Sequence, residues 1–357
     1  MPASGRLCAP RRRYGEARKK EKTPIGPGGS FDIGRRAARR RAGRAGWGGE
    51  IGGEGPGLHL FCYICRMKRI GILLAACAAA LGVRAQEPVL PSPDAKSMSM
   101  GGVVTTTLAA SHAIYNNAAG AAFSPMKMQL STTYFTQKEY NYYTASGSYN
   151  FDARNYLQAG WRLFRREKGN SDMMVDLGYA RRIGERWSVG LVGRYTHLKR
   201  PGGNDDGLAA DLSAMYLLPL ENIGHYSTLR AGAKLAGLGG YFGDNGCGMP
   251  AEFTAGAAFD TFITDAHEIT VAADLGYCFN PSSVRGFQAS VGAEYNLMQL
   301  FQIRGGYHYG EKSVCPSYAS VGAGVRFLHL RLDFAYLFAE KGTYLRNTYS
   351  FSLGFDF

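Results

Sequence analysis

From about residue 126 to its last residue, the chain alternates. In "LHLRLDFAYLF" (328–338), Leu328, Leu330, Leu332, Phe334, Tyr336 and Phe338 share one face. His329, Arg331, Asp333, Ala335 and Leu337 share the other. Successive side chains of a strand point to opposite sides, so this stretch reads as a strand with an apolar side and a mostly polar side. Segment 267–278 repeats the pattern, with Val271, Leu275 and Tyr277 against Glu268, Thr270 and Asp274. Segment 287–296 repeats it again, with Phe287, Val291 and Tyr295 against Gln288, Ser290 and Glu294.

Extended along the chain, this reading predicts about fourteen strands. They lie near 126–136, 140–151, 155–165, 172–182, 186–198, 207–218, 226–237, 251–260, 266–278, 286–297, 300–310, 316–327, 328–339 and 346–357. Most are long. Globular strands run about 5–6 residues, whereas a tilted strand crossing a bilayer needs about 9–11. The expected fold class is therefore all-β, a transmembrane antiparallel β-barrel over 126–357. The connections agree. "DAR" (152–154), "GE" (184–185), "MQ" (298–299) and the joint at Phe327/Leu328 are short, with "LPLENIGH" (218–225) a longer exception at the same end. "REKGNS" (166–171), "KRPGGNDD" (199–206), "LGGYFGDNGCGM" (238–249) and "GEKSVCP" (310–316) are longer and polar, and they fall on the alternate end. Short periplasmic turns and longer external loops are the rule for outer-membrane barrels. The 22 Tyr and 19 Phe suit interfacial girdles. Tyr134, Phe135, Tyr216, Phe259, Tyr277, Tyr295, Tyr307, Tyr309, Phe327 and Phe338 are the candidates near strand ends.

The net charge of +13 suggests nucleic acid until it is located. Residues 1–66 carry fifteen Lys/Arg and five Asp/Glu, and 67–85 carry three Lys/Arg. From Gln86 onward, acids and bases balance. Residues 1–66 are rich in Gly, Arg and Ala without apolar period, as in "RRAARRRAGRAGWGGEIGGEGPG", and are expected to be disordered. A basic nucleic-acid arm is one reading. The favoured one is an upstream extension from a start codon set too early. The reason follows it: Met67-Lys68-Arg69, an apolar run to Val83, then Val-Arg-Ala before Gln86, which is a secretory signal at 67–85. "LAAC" (74–77) also fits a lipoprotein signal, with a very short apolar run. Cleavage after Ala85 is preferred, placing the mature chain in the outer membrane of a Gram-negative bacterium. "CYIC" (62–65) lacks the second pair a zinc site needs.

Between signal and barrel lies "AKSMSMGGVVTTTLAASHAIYNNAAGAA" (95–122), small, partly apolar and without alternation. Its content favours burial, so 86–125 is expected to plug the lumen. This stretch resembles the opening of PorV/PorQ-type proteins, which belong with the FadL-like outer-membrane transporters. Met100, Gly101 and Gly102 occupy that family's Met-Gly-Gly place. Tyr115, Asn116, Asn117 and Gly120 occupy its Tyr-Asn-Pro-Ala-Gly turn, with Asn117 in place of Pro and one extra Ala. Without the fixed φ of proline, a looser turn is expected. The resemblance implies two partner classes: secreted proteins or subunits of type IX secretion, or, for FadL-like members, long-chain fatty acids or other hydrophobic molecules crossing the membrane. The ending "TYSFSLGFDF", with Phe355 and Phe357, resembles the signal read by the barrel assembly machinery.

No H-E-x-x-H, G-x-S-x-G or phosphate loop is present, and the seven His form no constellation. No enzyme activity, metal or cofactor is expected. The expected lumen face carries Arg162, Arg194, Asp211, Glu268, Asp274, Glu294, Arg304, His308, Arg326, Arg331 and Asp333. Glu294, Arg304, His308, Arg331 and Asp333 are the candidate polar network. The rest of that face reads as small and polar, with Met215, Leu217, Leu229 and Leu235 as exceptions. Cys247, Cys278 and Cys315 fall at external hairpins, where export permits disulfides. One bridge among the three is expected. Mass spectrometry of membrane-extracted protein is expected to find a chain starting at Gln86. Peptides from 1–66 in that fraction would overturn the reading of the start.

Overall fold

The computed structural model describes residues 91–357 apart from 138–139, 167–169, 201–202, 221–222, 224–225 and 244–248. The expectations for 1–66, for the signal at 67–85 and for Cys247 lie outside the described residues.

Fourteen strands are present: β1 Met128–Gln137, β2 Tyr140–Asn150, β3 Asn155–Arg166, β4 Ser171–Ile183, β5 Trp187–Arg200, β6 Gly203–Leu220, β7 Tyr226–Gly243, β8 Ala251–Thr264, β9 His267–Asn280, β10 Gly286–Leu297, β11 Phe301–Gly310, β12 Tyr318–Phe327, β13 Leu330–Ala339 and β14 Thr348–Asp356. Each pairs antiparallel with its chain neighbours, and β1 pairs with β14, so the sheet closes into a barrel. Closure runs from Gln129 opposite Asp356 to Thr136 opposite Tyr349. Beyond it, the backbone of Phe357 exchanges hydrogen bonds with Met128 at 2.8 and 3.1 Å. A closed ring leaves no unpaired strand edge, which is what a bilayer requires.

The alternation resolves as outside and inside. Leu177, Val271, Leu275, Val291, Ile303 and Leu332 are exposed on the outer surface. Ser131, Thr133, Asp176, Asp274, Glu294 and Arg304 are buried within. An outward apolar band on a closed barrel is the signature of a membrane-spanning wall. Outward Tyr134 and Tyr143 pack together at 5.1 Å, and Trp187 packs on Tyr216 at 4.6 Å. Phe135 is a correction: it faces inward and is 3% exposed, so it belongs to the core rather than to a girdle. Leu229 is another, being 37% exposed on the outer face. Leu235 shares its parity, because the inward residues of β7 are Thr228, Arg230, Gly232 and Lys234.

The strands β6 and β7 are 18 residues each, longer than the sequence pattern suggests. Pairing between β7 and β8 stops at Ala236/Glu252, but β7 continues against β6 as far as Gly243 opposite Asp205. Much of the expected loops at 199–206 and 238–249 is therefore strand. The register shifts between Ala210 and Leu212. There Asp211 Oδ1 accepts from the Gly237 N–H at 2.8 Å, and Gly237 sits at φ +72°. A bulge with a left-handed glycine is a common way to bend a strand.

The chain enters the sheet at Met128 and leaves it at Asp356 at one end of the barrel, the turn end, where the connections after even strands also lie. The connections after odd strands lie at the other, the loop end, which carries the three longest, 244–250, 311–317 and 340–347. An Arg at Leu275, mid-strand on the outer face, is expected to cost about 2–4 kcal/mol of folding stability. Denaturant unfolding in lipid vesicles checks this, and a neutral substitution would contradict a lipid-facing position.

Candidate functional site

Residues 91–124 lie inside the barrel as a plug. Asp94 starts the helix α1 (Ala95–Ser99) by accepting from the Ser97 N–H at 3.0 Å and the Lys96 N–H at 3.3 Å. The Met100-Gly101-Gly102 stretch then turns through positive φ, +69° at Gly101 and +79° at Gly102. Its backbone meets the wall where the wall has no side chains. A Cβ at Gly292 would fall 2.3 Å from Met100 O, and one at Gly306 2.2 Å from Gly101 N. Ser320 Oγ accepts from the Gly101 N–H at 2.9 Å.

The second motif is held as firmly. Tyr115 donates its hydroxyl to Ala145 O at 2.8 Å, and its ring lies over Gly160, where a Cβ would be 2.8 Å away. Asn116 Nδ2 donates to Ser97 Oγ at 2.8 Å. Asn117 corrects the expected loose turn. Its φ is −129°, outside proline's range. Its side chain caps Ala119 N at 3.1 Å and donates to Thr105 O at 2.7 Å and Ala214 O at 3.1 Å. Gly120 faces Met215, whose Cε would be 3.1 Å from a Cβ there.

Inward charges bind one another and the plug. Arg304 joins Glu294 and, at 2.6 Å, Asp333; Lys96 of α1 reaches Glu294 at 3.3 Å. Arg331 and His308 stand apart from this group. Arg331 pairs with Asp356 at 2.7 Å and not with Asp333. His308 Nδ1 meets Ser290 Oγ at 2.9 Å, and its ring stacks on Tyr318 at 4.9 Å. A second chain runs Arg162–Asp176–Arg194–Asp211, with links of 2.7–2.9 Å, and Arg162 lies 5.0 Å over the Tyr115 ring. Arg230 pairs with Asp260 at 2.5 Å and donates to Thr106 O at 2.6 Å. Asp274 accepts from the Val104 and Thr105 N–H groups at 2.7 and 2.9 Å. The alternation places Arg162, Arg194, Asp211, Asp274, Glu294, Arg304, His308, Arg331 and Asp333 on the lumen face. It does not single out their partners Asp176, Arg230, Asp260 and Asp356, nor Lys96 and Asp274 as links between plug and wall.

The loop end is different. Phe135, Tyr142, Phe164, Leu337 and Leu345 point inward and are buried together above Met98 of the plug. Phe135, Tyr142 and Phe164 meet edge to face, with centroids 6.0 and 5.5 Å apart. This part of the inner surface is apolar, against the small and polar face expected. Cys278 and Cys315 belong to the same cluster, and both are free thiols. Among the described residues no bridge joins Cys278 to Cys315, and Cys247 lies outside them. Cys278 and Cys315 are packed as small hydrophobes, and burial pushes the Cys315 thiol, in the 311–317 loop, up to about 12. Phe355 and Phe357 sit on the outer surface at the closing seam, 39% and 54% exposed.

No protein-family model matches the sequence, and no curated protein matches it. Solved structures do. The toluene transporter TbuX of Ralstonia pickettii is 13% identical, over 76% of this chain and 99% of its own, with a TM-score of 0.47. The toluene transporter TodX of Pseudomonas putida is 13% identical, over 76% and 98%, at 0.48. A Pseudomonas aeruginosa FadL homologue is 12% identical, over 76% and 99%, at 0.48. These values describe a general likeness of shape. The fold itself stands on the strand pairing above.

Arg304→Met leaves Asp333 without its cation and Glu294 with Lys96 alone. A loss of about 3–5 kcal/mol is expected, because it strands buried charge. Arg331→Met, nearer the turn end, is expected to cost less. Parallel denaturant titrations in vesicles check the order, and equal losses would show that the Arg304 cluster is not the deeper of the two.

Proposed function

We propose that the protein is an outer-membrane barrel of FadL-like type that admits a small hydrophobic molecule at its loop end. The observation that carries this is the inward apolar cluster of Phe135, Tyr142, Phe164, Leu337 and Leu345. The cluster is closed on itself, so a molecule that avoids water would enter by parting these side chains and would find apolar contact there. The loop end faces outward and the turn end faces the periplasm, as in other barrels with short periplasmic turns. The signal over 67–85 and the terminal Phe355 and Phe357 support export and recognition by the barrel assembly machinery.

Below the cluster the plug is tied to the wall from β1 to β14. Passage therefore needs the plug to rearrange. Its anchors are hydrogen bonds and ion pairs to inward side chains, which a shifted plug exchanges for water. The protein needs no catalytic group or cofactor for this role.

A second reading is favoured by the closed lumen and the motif at 95–122: a PorV/PorQ-type barrel that binds secreted proteins or type IX secretion subunits without conducting. None of the structures named above is a secretion component, so this reading rests on sequence resemblance.

The test is uptake by cells whose outer membrane carries the barrel, using labelled toluene and labelled oleate. Faster uptake of at least one than in barrel-free cells is expected, with a several-fold loss in Phe164→Asp. Uptake equal to barrel-free cells, together with secreted proteins co-purifying with the barrel in mild detergent, would replace this function with the second.

A further inference from the structure

The connections at the turn end differ in kind around the ring. Four carry charge: Asp152 and Arg154 after β2, Glu185 and Arg186 after β4, Glu221 after β6, and Asp265 after β8. The two after β10 and β12 read Met298-Gln299-Leu300 and Leu328-His329, with no Asp, Glu, Lys or Arg. Met298 is 67% exposed. Leu328, at 87%, is the most exposed large apolar side chain among the described residues.

These positions are also left-handed, with φ of +54° at Met298, +55° at Gln299 and +54° at Leu328. Gly, Asn and Asp are the usual residues there, because a Cβ crowds the backbone. A Met and a Leu are placed instead, and both point away from the barrel's own packing. The two turns are neighbours. β11 and β12 lie between their centres, so they stand about 10 Å apart, two strand spacings. The Arg326 N–H donates to Leu300 O at 2.8 Å, tying the first turn to β12. Exposed Phe301 and Phe327 join both turns to the outward apolar band. Beyond Leu328, the His329 ring stacks on exposed Phe357 at 6.1 Å.

We infer that this side of the turn end is a lipid-contact surface. The turns after β10 and β12 lie in the boundary between headgroups and acyl chains, while the charged turns stand in water. An exposed apolar patch marks a protein partner or a membrane. Two observations select the membrane. The patch is continuous, through Phe301 and Phe327, with the band that already faces lipid. Its turns also lack the charges that would form the polar rim of a protein interface. A barrel tilted toward β10–β13 presents this distribution, with Met298 and Leu328 where apolar side chains are cheap. The surface is separate from the apolar mouth at the loop end and does not depend on hydrophobic uptake.

The probe is a nitroxide spin label on Met298→Cys or Leu328→Cys, with Glu185→Cys and Ala266→Cys as controls in charged turns. Each is made in a barrel whose other cysteines are replaced by alanine and is reconstituted in phospholipid vesicles. Heat-dependent gel migration confirms that each variant folds. Collisions with oxygen, which concentrates in lipid, are compared with collisions with a water-soluble nickel chelate. The oxygen-to-nickel ratio is expected to be several-fold higher at 298 and 328 than at 185 and 266. Equal ratios at all four positions would overturn the inference, whether or not an added periplasmic protein then shields the two turns. Shielding from nickel accompanied by spin–spin broadening would overturn it too, because that marks a second copy of this chain as the occupant.

Discussion

A bilayer core offers the backbone no hydrogen-bond partner, and this fold answers that constraint first. Fourteen strands pair in chain order, and the last closes on the first, so no edge is left. Closure fixes the rest. It sends one parity of every strand to lipid, where only apolar side chains are cheap, and the other parity to an enclosed space. That space is too narrow to be ignored and too polar to collapse. It holds bound charge, and it is filled by 34 residues of the same chain, 91–124.

Plug and wall fit because the two are reciprocal. Where plug backbone approaches most closely, the wall carries Gly292, Gly306 and Gly232, and added Cβ atoms there would fall 2.2–2.3 Å from plug backbone atoms. Where the plug offers backbone donors, the wall supplies Asp274, Ser320 and Ser213 as acceptors. Buried ion pairs are weak evidence of stability, because desolvation offsets much of their attraction. Their geometry here is better read as fixing position: each cluster ties a given part of the plug to a given pair of strands.

Much of this was legible in the sequence, for a simple reason. Period-two alternation survives in any strand with lipid on one side, so the strand count and most boundaries followed from residue types alone. What failed depended on position around or along the barrel. Phe135 looked like a girdle residue, yet parity sends it inward to Tyr142 and Phe164. The β7 stretch "TLRAGAKLAG" has small residues on both faces, so Leu229 and Leu235 were placed on the wrong side. Arg331 lies two residues from Asp333, but pairs with Asp356 on β14, because cross-strand register rather than sequence spacing selects partners. The Cys278 and Cys315 thiols lie in one buried cluster without bonding, a distinction that spacing does not carry.

The plug's anchors also carry a statement about time. The Ala95 N–H is held by Ser352 Oγ on β14 at 3.1 Å, and Ser99 O accepts from Ser320 on β12 at 3.0 Å. The first described helix therefore finds these two partners in strands from the far end of the chain, and its docking is incomplete until β12 and β14 are in place. The ring closes through the same β14, so closing the barrel also completes the surface that holds its filling.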